Sequence, residues 1–187
     1  MEPHDLLWTG FLRSAARFST RSAIDIGDDQ MTYSQLAEHA KRLAATLQAN
    51  AIAGAVPLTA VFVYRSQTAY AAVLGTLMAG HGYVPLNRTF PVDRTRVMFQ
   101  KSMCRSLIVD AGSESQLDRL LCGVLTPLVV ICPDRHDVGD LSARFPFPSF
   151  HRSAAAVSSR GMGVPFTWML HLPTCYSPAG PPANQKV

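Results

Sequence analysis

The segment that decides the fold is LTAVFVYRSQTAYAAVLGTLMAGHGYVPL, residues 58–86. It opens with a nearly continuous apolar run, LTAVFV (58–63), which has the length and composition of a strand buried on both faces. Ser66 can cap a following helix that Gly80 ends, and GYVPL (82–86) has the pattern of a second short strand. The segment therefore predicts a strand–helix–strand unit.

The same alternation continues downstream. Thr89 and Pro91 begin another helix, because proline at the first helical position loses no hydrogen bond. SLIVD (106–110) and PLVVIC (127–132) are two more strands of the buried type, and ESQLDRLL (114–121) between them has a helical pattern. Alternating strands and helices predict an α/β fold of three layers with a mostly parallel sheet.

The region before residue 58 predicts a helix, a hairpin and a second helix. Residues 6–18 have apolar positions at roughly helical spacing, and SAIDIGDDQMTY (22–33) has two short apolar runs around a Gly-Asp-Asp turn. Thr32 can cap a helix that runs to about Asn50, and Gln35 can complete a capping box.

Two signatures resemble those of the adenylate-forming ligases, a family of acyl-CoA synthetases and of the amino-acid adenylation domains of nonribosomal peptide synthetases. The first is a Thr-Tyr-x-x-Leu helix start, and the second is an Ala-Gly-x-x-Tyr-x-Pro-Leu strand entry followed by a Pro-x-x-Arg helix. The matching residues are Thr32, Tyr33, Leu36, Ala79, Gly80, Tyr83, Pro85, Leu86, Pro91 and Arg94. Arg65-Ser66 also matches the family, whereas Asn87 replaces an Asp that is usual in the peptide-synthetase branch. The resemblance covers about residues 6–135.

The resemblance implies the reaction of the intact parent enzyme. That enzyme would use ATP and magnesium to convert a carboxylic or amino acid into an acyl-adenylate, and would pass the acyl group to coenzyme A or a carrier protein. In the family this region supports the fold while substrates bind further along the chain. We therefore predict no catalytic, cofactor-binding or metal-binding residue in residues 1–150 and no cofactor bound by this fragment. The acyl substrate and the acceptor stay open.

Other candidate sites have weak patterns. Asp134, Asp137 and Asp140 form an acidic loop that lacks the regular calcium-binding pattern, so we expect it to be solvated. GMG (161–163) follows no strand and lacks the third glycine of a dinucleotide-binding turn. The histidines are scattered without metal-ligand spacing: His4, His39, His81, His136, His151 and His171.

Charge and cysteine content exclude several classes of protein. Of the net charge of +4, residues 1–150 carry only +1 (14 basic and 13 acidic side chains), so no nucleic-acid partner is expected. The longest apolar stretch, residues 69–80, is too short to span a bilayer, and the N-terminus lacks a basic signal region. We therefore expect a cytoplasmic protein. No CxxC pair occurs among Cys104, Cys122, Cys132 and Cys175, so we expect reduced thiols and no disulfide framework or zinc site.

The chain changes character after about Pro148. Residues 151–187 hold five of the thirteen prolines and no sustained apolar period, which is typical of a disordered tail. The family's phosphate loop, Thr-Ser-Gly-Ser-Thr-Gly-x-Pro-Lys-Gly, is expected near here and is not in the sequence. However, codons permitted for residues 173–187 spell YLLFTSGSTGKPKG when read one base earlier. We interpret 151–187 as out of frame, after one base lost or two gained between about residues 140 and 166.

The predicted organisation is an N-terminal portion of an AMP-binding domain over 1–150 and an out-of-frame, disordered tail over 151–187. As a ligase the chain is then truncated and inactive. One alternative is a non-catalytic interaction module that binds a partner through its exposed sheet, because truncation leaves a free edge and an uncovered apolar face. Another is a complete small nucleotide-binding domain, but this needs a Gly-rich turn that FVYRSQTAY (62–70) does not offer.

Overall fold

The N-terminal third forms the helix, hairpin and helix that its pattern predicts. The structure, a computed structural model, describes residues 6–145 and 147–153. Gly27, at φ +61°, lies in the turn of the hairpin, where a left-handed conformation favours glycine. The first elements are α1 (Thr9–Arg17), β1 (Ser22–Ile26), β2 (Asp29–Thr32) and α2 (Tyr33–Ala49).

The capping box at the start of α2 is confirmed. The Thr32 hydroxyl accepts a hydrogen bond from the Gln35 amide at 3.3 Å, and the Gln35 side-chain oxygen accepts one from the Thr32 amide at 2.8 Å. Two free donors of the first helical turn are satisfied reciprocally. The start of α2 is therefore fixed by residues that are close neighbours along the chain.

A five-stranded parallel sheet follows, in the order β4-β3-β5-β6-β7. Its elements are β3 (Leu58–Phe62), α3 (Gln67–Met78), β4 (Gly82–Leu86), α4 (Val92–Ser102), β5 (Ser106–Val109), a 3-10 helix (Ala111–Gln116), α5 (Leu117–Leu120), β6 (Leu128–Ile131), α6 (Gly139–Arg144) and β7 (Pro148–His151). The predicted α/β class and the predicted parallel sheet are confirmed.

The sheet separates two apolar cores, which makes the fold three-layered. Phe62 and Leu107 point into the core formed with α4, α5 and α6. Val61 and Ile108, their neighbours along the same strands, point into the core formed with α2, α3 and the hairpin. Alternate residues of each strand are buried on opposite faces, as expected of a parallel sheet covered on both sides.

Three local features differ from the sequence prediction. β7 was not predicted, because its four residues stand at the start of a segment without a clear period. The helix expected over 114–121 begins earlier, as the 3-10 helix from Ala111, since Asp110 caps it. Pro91 is the N-cap of α4 and not its first helical residue. The predicted disorder of the tail concerns mainly residues 154–187, which lie outside the described residues.

α3 packs closely against α2 at Gly75. A Cβ atom added to Gly75 would lie 2.7 Å from the Ala40 carbonyl oxygen and 2.8 Å from the Leu43 Cβ. Neither neighbour can move without moving the backbone of α2. Only glycine fits at this crossing.

Among the described residues, no helix is long and apolar enough to cross a membrane.

We expect Gly75→Ala to lower the free energy of unfolding by about 2 kcal/mol, because overpacking outweighs the helix propensity gained. Gly10→Ala is the matched control. Gly10 lies in α1 with nothing within 4 Å of its added Cβ. The control should be neutral or stabilising by up to about 1 kcal/mol. Urea unfolding of both variants would check this, and equal midpoints for the two would contradict the packing argument.

Candidate functional site

The carboxyl edge of the sheet is the candidate site, because open α/β sheets bind ligands beyond the carboxyl ends of their strands. Four loops meet at this edge. They follow β3 at Tyr64–Ser66, β4 at Asn87–Phe90, β5 at Asp110 and β6 at Cys132–Arg135.

Asp110 organises the loops after β3 and β5. Its carboxylate is only 2% exposed. Oδ2 accepts hydrogen bonds from the Tyr64 amide at 3.0 Å and from the Ser66 hydroxyl at 2.8 Å, and Oδ1 accepts one from the Ser113 amide at 3.0 Å. The Ser66 hydroxyl oxygen in turn accepts from the Ala69 amide at 3.2 Å and so caps α3, as predicted. One buried carboxylate therefore fixes the starts of two helices.

Asp134 also connects elements at this edge through hydrogen bonds. Its Oδ1 accepts a hydrogen bond from the Thr68 hydroxyl in α3, and its Oδ2 accepts one from the Ala111 amide at 2.9 Å. Asp110 and Asp134 thus direct negative charge to the ends of β5 and β6 and occupy the nearby donors. This part of the edge does not fit the phosphates of ATP.

The acidic loop that the sequence predicted to be solvated is held by partners. Arg135 pairs with Glu114 at 2.8 Å and with Asp140 at 2.6 Å, and the hydrogen bond that its guanidinium donates to Glu114 raises the pKa of Arg135. Asp137 accepts from the amides of Val138 at 2.8 Å and Gly139 at 3.1 Å. Asp134, Asp137 and Asp140 are exposed to solvent, as predicted, and the bonds to the Val138 and Gly139 amides shape this part of the loop as a turn.

The histidines that the structure describes lie apart. His39 borders a small cavity of about 40 Å³ together with Thr68 and Pro133. The His136 carbonyl accepts a hydrogen bond from Arg152, and His151 lies 3.2 Å from the Ser149 hydroxyl. Within the described part of the chain no three His, Cys, Asp or Glu side chains converge as metal ligands would. His4, His171 and the GMG turn at 161–163 fall outside the described residues.

His81 belongs to a buried polar network at the amino end of the sheet. Its Nδ1 lies 2.8 Å from the hydroxyl of Thr59, which is fully buried and lies 2.8 Å from the Ser106 hydroxyl. Burial lowers the pKa of His81. The neutral ring suits this place because it can accept the Thr59 hydrogen.

Stability should fall as the pH drops below the usual histidine pKa of about 6.5, since the unfolded chain then binds a proton that the folded His81 resists. His81→Asn retains an acceptor for Thr59 and should flatten this dependence, by at most about 1.4 kcal/mol per pH unit. Denaturation from pH 7 downward measures the slope. Burial lowers the pKa of His151 too, so part of the slope should persist. An unchanged slope in the variant would contradict the assignment.

The described cysteines are free, and two are buried: Cys104 and Cys132. Burial raises the pKa of Cys132 to about 12, with a further contribution from Glu114, and burial also raises the pKa of Cys104. A thiol that resists ionisation is a poor nucleophile. Both side chains therefore serve packing and not catalysis.

The residues of the two sequence signatures have structural roles. Tyr33 stacks on Phe11 at 6.1 Å, and Gly80 ends α3 at φ +83°. Tyr83 and Pro85 are exposed on β4, and Arg94 lies over the ring of Phe90 at 4.8 Å. None of them meets the carboxylates at the ends of β5 and β6 in the contacts above.

A groove of about 540 Å³ lies beside β4 on the face that carries α3 and the hairpin. Its walls are mainly apolar, with Asn87 as a polar exception, and they include Val61, Val63, Val73, Leu74, Tyr83 and Pro85. Sequence reasoning missed this groove, because it exists only where residues from β1, β3, α3 and β4 meet.

Comparison with known proteins gives consistent matches. Bacitracin synthase 1 of Bacillus licheniformis is 31% identical over 107 residues, which are 57% of this chain and 2% of that protein. The D-alanine–D-alanyl carrier protein ligase of B. licheniformis is 27% identical over 103 residues, 55% of this chain and 20% of that protein. The crystal structure of IdnL7 has 31% identity and a TM-score of 0.64, and the match covers 79% of this chain and 28% of that one.

The chain thus spans a small part of the relatives it matches. The matched part coincides with the sheet described above, since the family model of AMP-binding enzymes matches residues 11–149. The fold, the two signatures and this match agree, and the chain belongs to the AMP-binding enzymes, the adenylate-forming ligases, of which it corresponds to an N-terminal portion.

Proposed function

We propose that this chain derives from an enzyme that uses ATP to activate an amino acid or another carboxylic acid as its acyl-adenylate. The family match over residues 11–149 carries the proposal. The name of one relative, a D-alanine–D-alanyl carrier protein ligase, favours an amino acid as substrate and a carrier protein as acceptor. Coenzyme A remains the alternative acceptor.

Residues 1–150 would support the fold of that enzyme without contacting its reacting atoms. The carboxylate oxygens of Asp110 and Asp134 accept hydrogen bonds from residues at or near the starts of helices. These bonds lie at the edge where α/β sheets usually bind ligands. We therefore assign no magnesium ion and no ATP phosphate to Asp110 or Asp134. The three free cysteines among them fit a reducing, cytoplasmic compartment.

The 187-residue chain is itself proposed to be inactive, because its sequence contains no Ser/Thr/Gly phosphate loop with a lysine. Such a loop supplies the positioning and charge stabilisation on which adenylation depends. The purified chain should show no exchange of pyrophosphate into ATP with any amino or carboxylic acid. Acid-dependent exchange above a no-protein control, retained through repurification, would overturn this.

We further propose that the reading frame changes after His151. The family match reaches residue 149, and β7, which pairs in register with β6, includes His151. Both observations support an in-frame sequence up to that point. We therefore propose that the base was lost, or the two gained, within 152–166, and that the shifted frame at 173–187 carries the phosphate loop.

The alternative of an interaction module that pairs through the free edge of β4 has less support. The Gly82 amide donates to the Pro57 carbonyl at 2.8 Å, so Gly82 faces β3. Because backbone groups alternate along a strand, Pro85 faces the free edge and has no N–H to offer there. Proline at this position protects an edge from pairing with another chain.

A further inference from the structure

Arg65 has an unusual backbone conformation. It lies between β3 and α3 with φ +46°, in the left-handed region that non-glycine residues rarely adopt. The two residues beside it are held by the same oxygen, since Asp110 Oδ2 accepts hydrogen bonds from both the Tyr64 amide and the Ser66 hydroxyl. The buried carboxylate thus imposes the conformation, and the Arg65 side chain remains exposed. Strained residues that the fold maintains in this way are concentrated at functional sites.

A second arginine meets Arg65 at the same aromatic ring. The guanidinium carbon of Arg65 lies 5.2 Å from the Tyr64 ring centroid, and that of Arg88, at the carboxyl end of β4, lies 5.7 Å from it. Arg88 is positioned by a 2.6 Å hydrogen bond from Nη1 to the Gly112 carbonyl. Gly112 leaves the space for it, because a Cβ there would lie 2.5 Å from Nη1.

Neither guanidinium has a carboxylate partner among the described residues. The ion pairs in that part of the chain involve other arginines: Arg42, Arg96, Arg119, Arg135 and Arg144. The buried carboxylate of Asp110 accepts its hydrogen bonds from neutral donors, two backbone amides and a hydroxyl. Two positive charges therefore lie at one tyrosine ring, and no carboxylate of residues 6–145 or 147–153 pairs with either of them.

We propose that Arg65 and Arg88 form a binding site for a phosphate group at the carboxyl ends of β3 and β4. Planar guanidinium groups offer paired N–H donors that match phosphate oxygens, and the carboxyl edge of a parallel sheet is where such ligands bind. The phosphate is either free or part of a larger molecule such as a nucleotide. The site does not depend on the function proposed above, since it uses only residues of this chain.

The test measures thermal unfolding and calorimetric binding of the full 187-residue chain with inorganic phosphate or ATP, against sodium chloride at equal ionic strength. Arg65→Gln removes the exposed guanidinium and should weaken phosphate binding about tenfold, as expected for one lost charge-assisted hydrogen bond. Lys101→Gln is the matched control. Lys101 is exposed in the last turn of α4, and its removal changes the net charge equally.

Arg65→Gly separates binding from folding. Glycine accepts the left-handed conformation, so this variant should unfold at a higher temperature in chloride and yet gain less from phosphate than the unaltered chain. If the binding of both inorganic phosphate and ATP depends on Arg65, the site recognises the phosphate group alone. If only the binding of ATP depends on Arg65, the site recognises the phosphate of a nucleotide. Equal stabilisation by chloride, or full binding by Arg65→Gln, would overturn the proposal.

Discussion

Inserting one base within codons 152–166 of the gene is expected to yield a longer protein that catalyses acid-dependent exchange of pyrophosphate into ATP, which we propose the 187-residue chain does not catalyse. The restored frame would read YLLFTSGSTGKPKG in place of the C-terminal segment TCYSPAGPPANQKV. Backbone amides and hydroxyls of such a loop cradle phosphates, and its lysine adds charge. The change is from no exchange to a measurable rate.

The nucleotide sequence supplies the control for this prediction. The codons of Pro173–Val187 leave several choices at most positions, and the choices that spell the loop must be the ones present. The shifted frame must also stay open beyond codon 187 and encode further ligase sequence. An early stop in that frame, or codons that do not spell the loop, would contradict the frame proposal and leave the family assignment of residues 11–149 intact.

Replacing Asp110 by alanine should lower the free energy of unfolding by about 3–5 kcal/mol, a large part of the stability of a typical domain. The Tyr64 amide, the Ser66 hydroxyl and the Ser113 amide would lose their acceptor together. The carboxylate is almost fully buried, so water cannot replace it without opening the loops. Chemical denaturation monitored by circular dichroism measures the loss.

Two further variants separate the lost hydrogen bonds from a general effect of removing charge. Asp110→Asn keeps one acceptor oxygen, which can serve Tyr64 and Ser66, so it should cost less than Asp110→Ala. Asp118→Ala removes an exposed aspartate whose partner is Arg144, and should cost less than about 1 kcal/mol. If Asp110→Ala and Asp118→Ala destabilise the chain equally, Asp110 does not organise the carboxyl edge.

Much of the fold could be predicted because its signals are local. The apolar run at 58–63 forms β3 over Leu58–Phe62, and Ser66 and Thr32 cap α3 and α2 through atoms within three residues along the chain. β7 escaped prediction because a four-residue strand at a sheet edge is stabilised by its pairing with β6, which a local pattern cannot express.

The sequence by itself determined the family, the strand–helix alternation and the helix starts, since each depends on residues that are neighbours along the chain. Only the tertiary structure decided which side chains act together. Asp110 reaches Tyr64 and Ser66 across more than forty residues, and Arg88 lies at the Tyr64 ring beside which Arg65 also lies because β3 and β4 pair in parallel. The physical reason is that hydrogen bonds and ring contacts act over a few ångströms in space, whatever the separation along the chain.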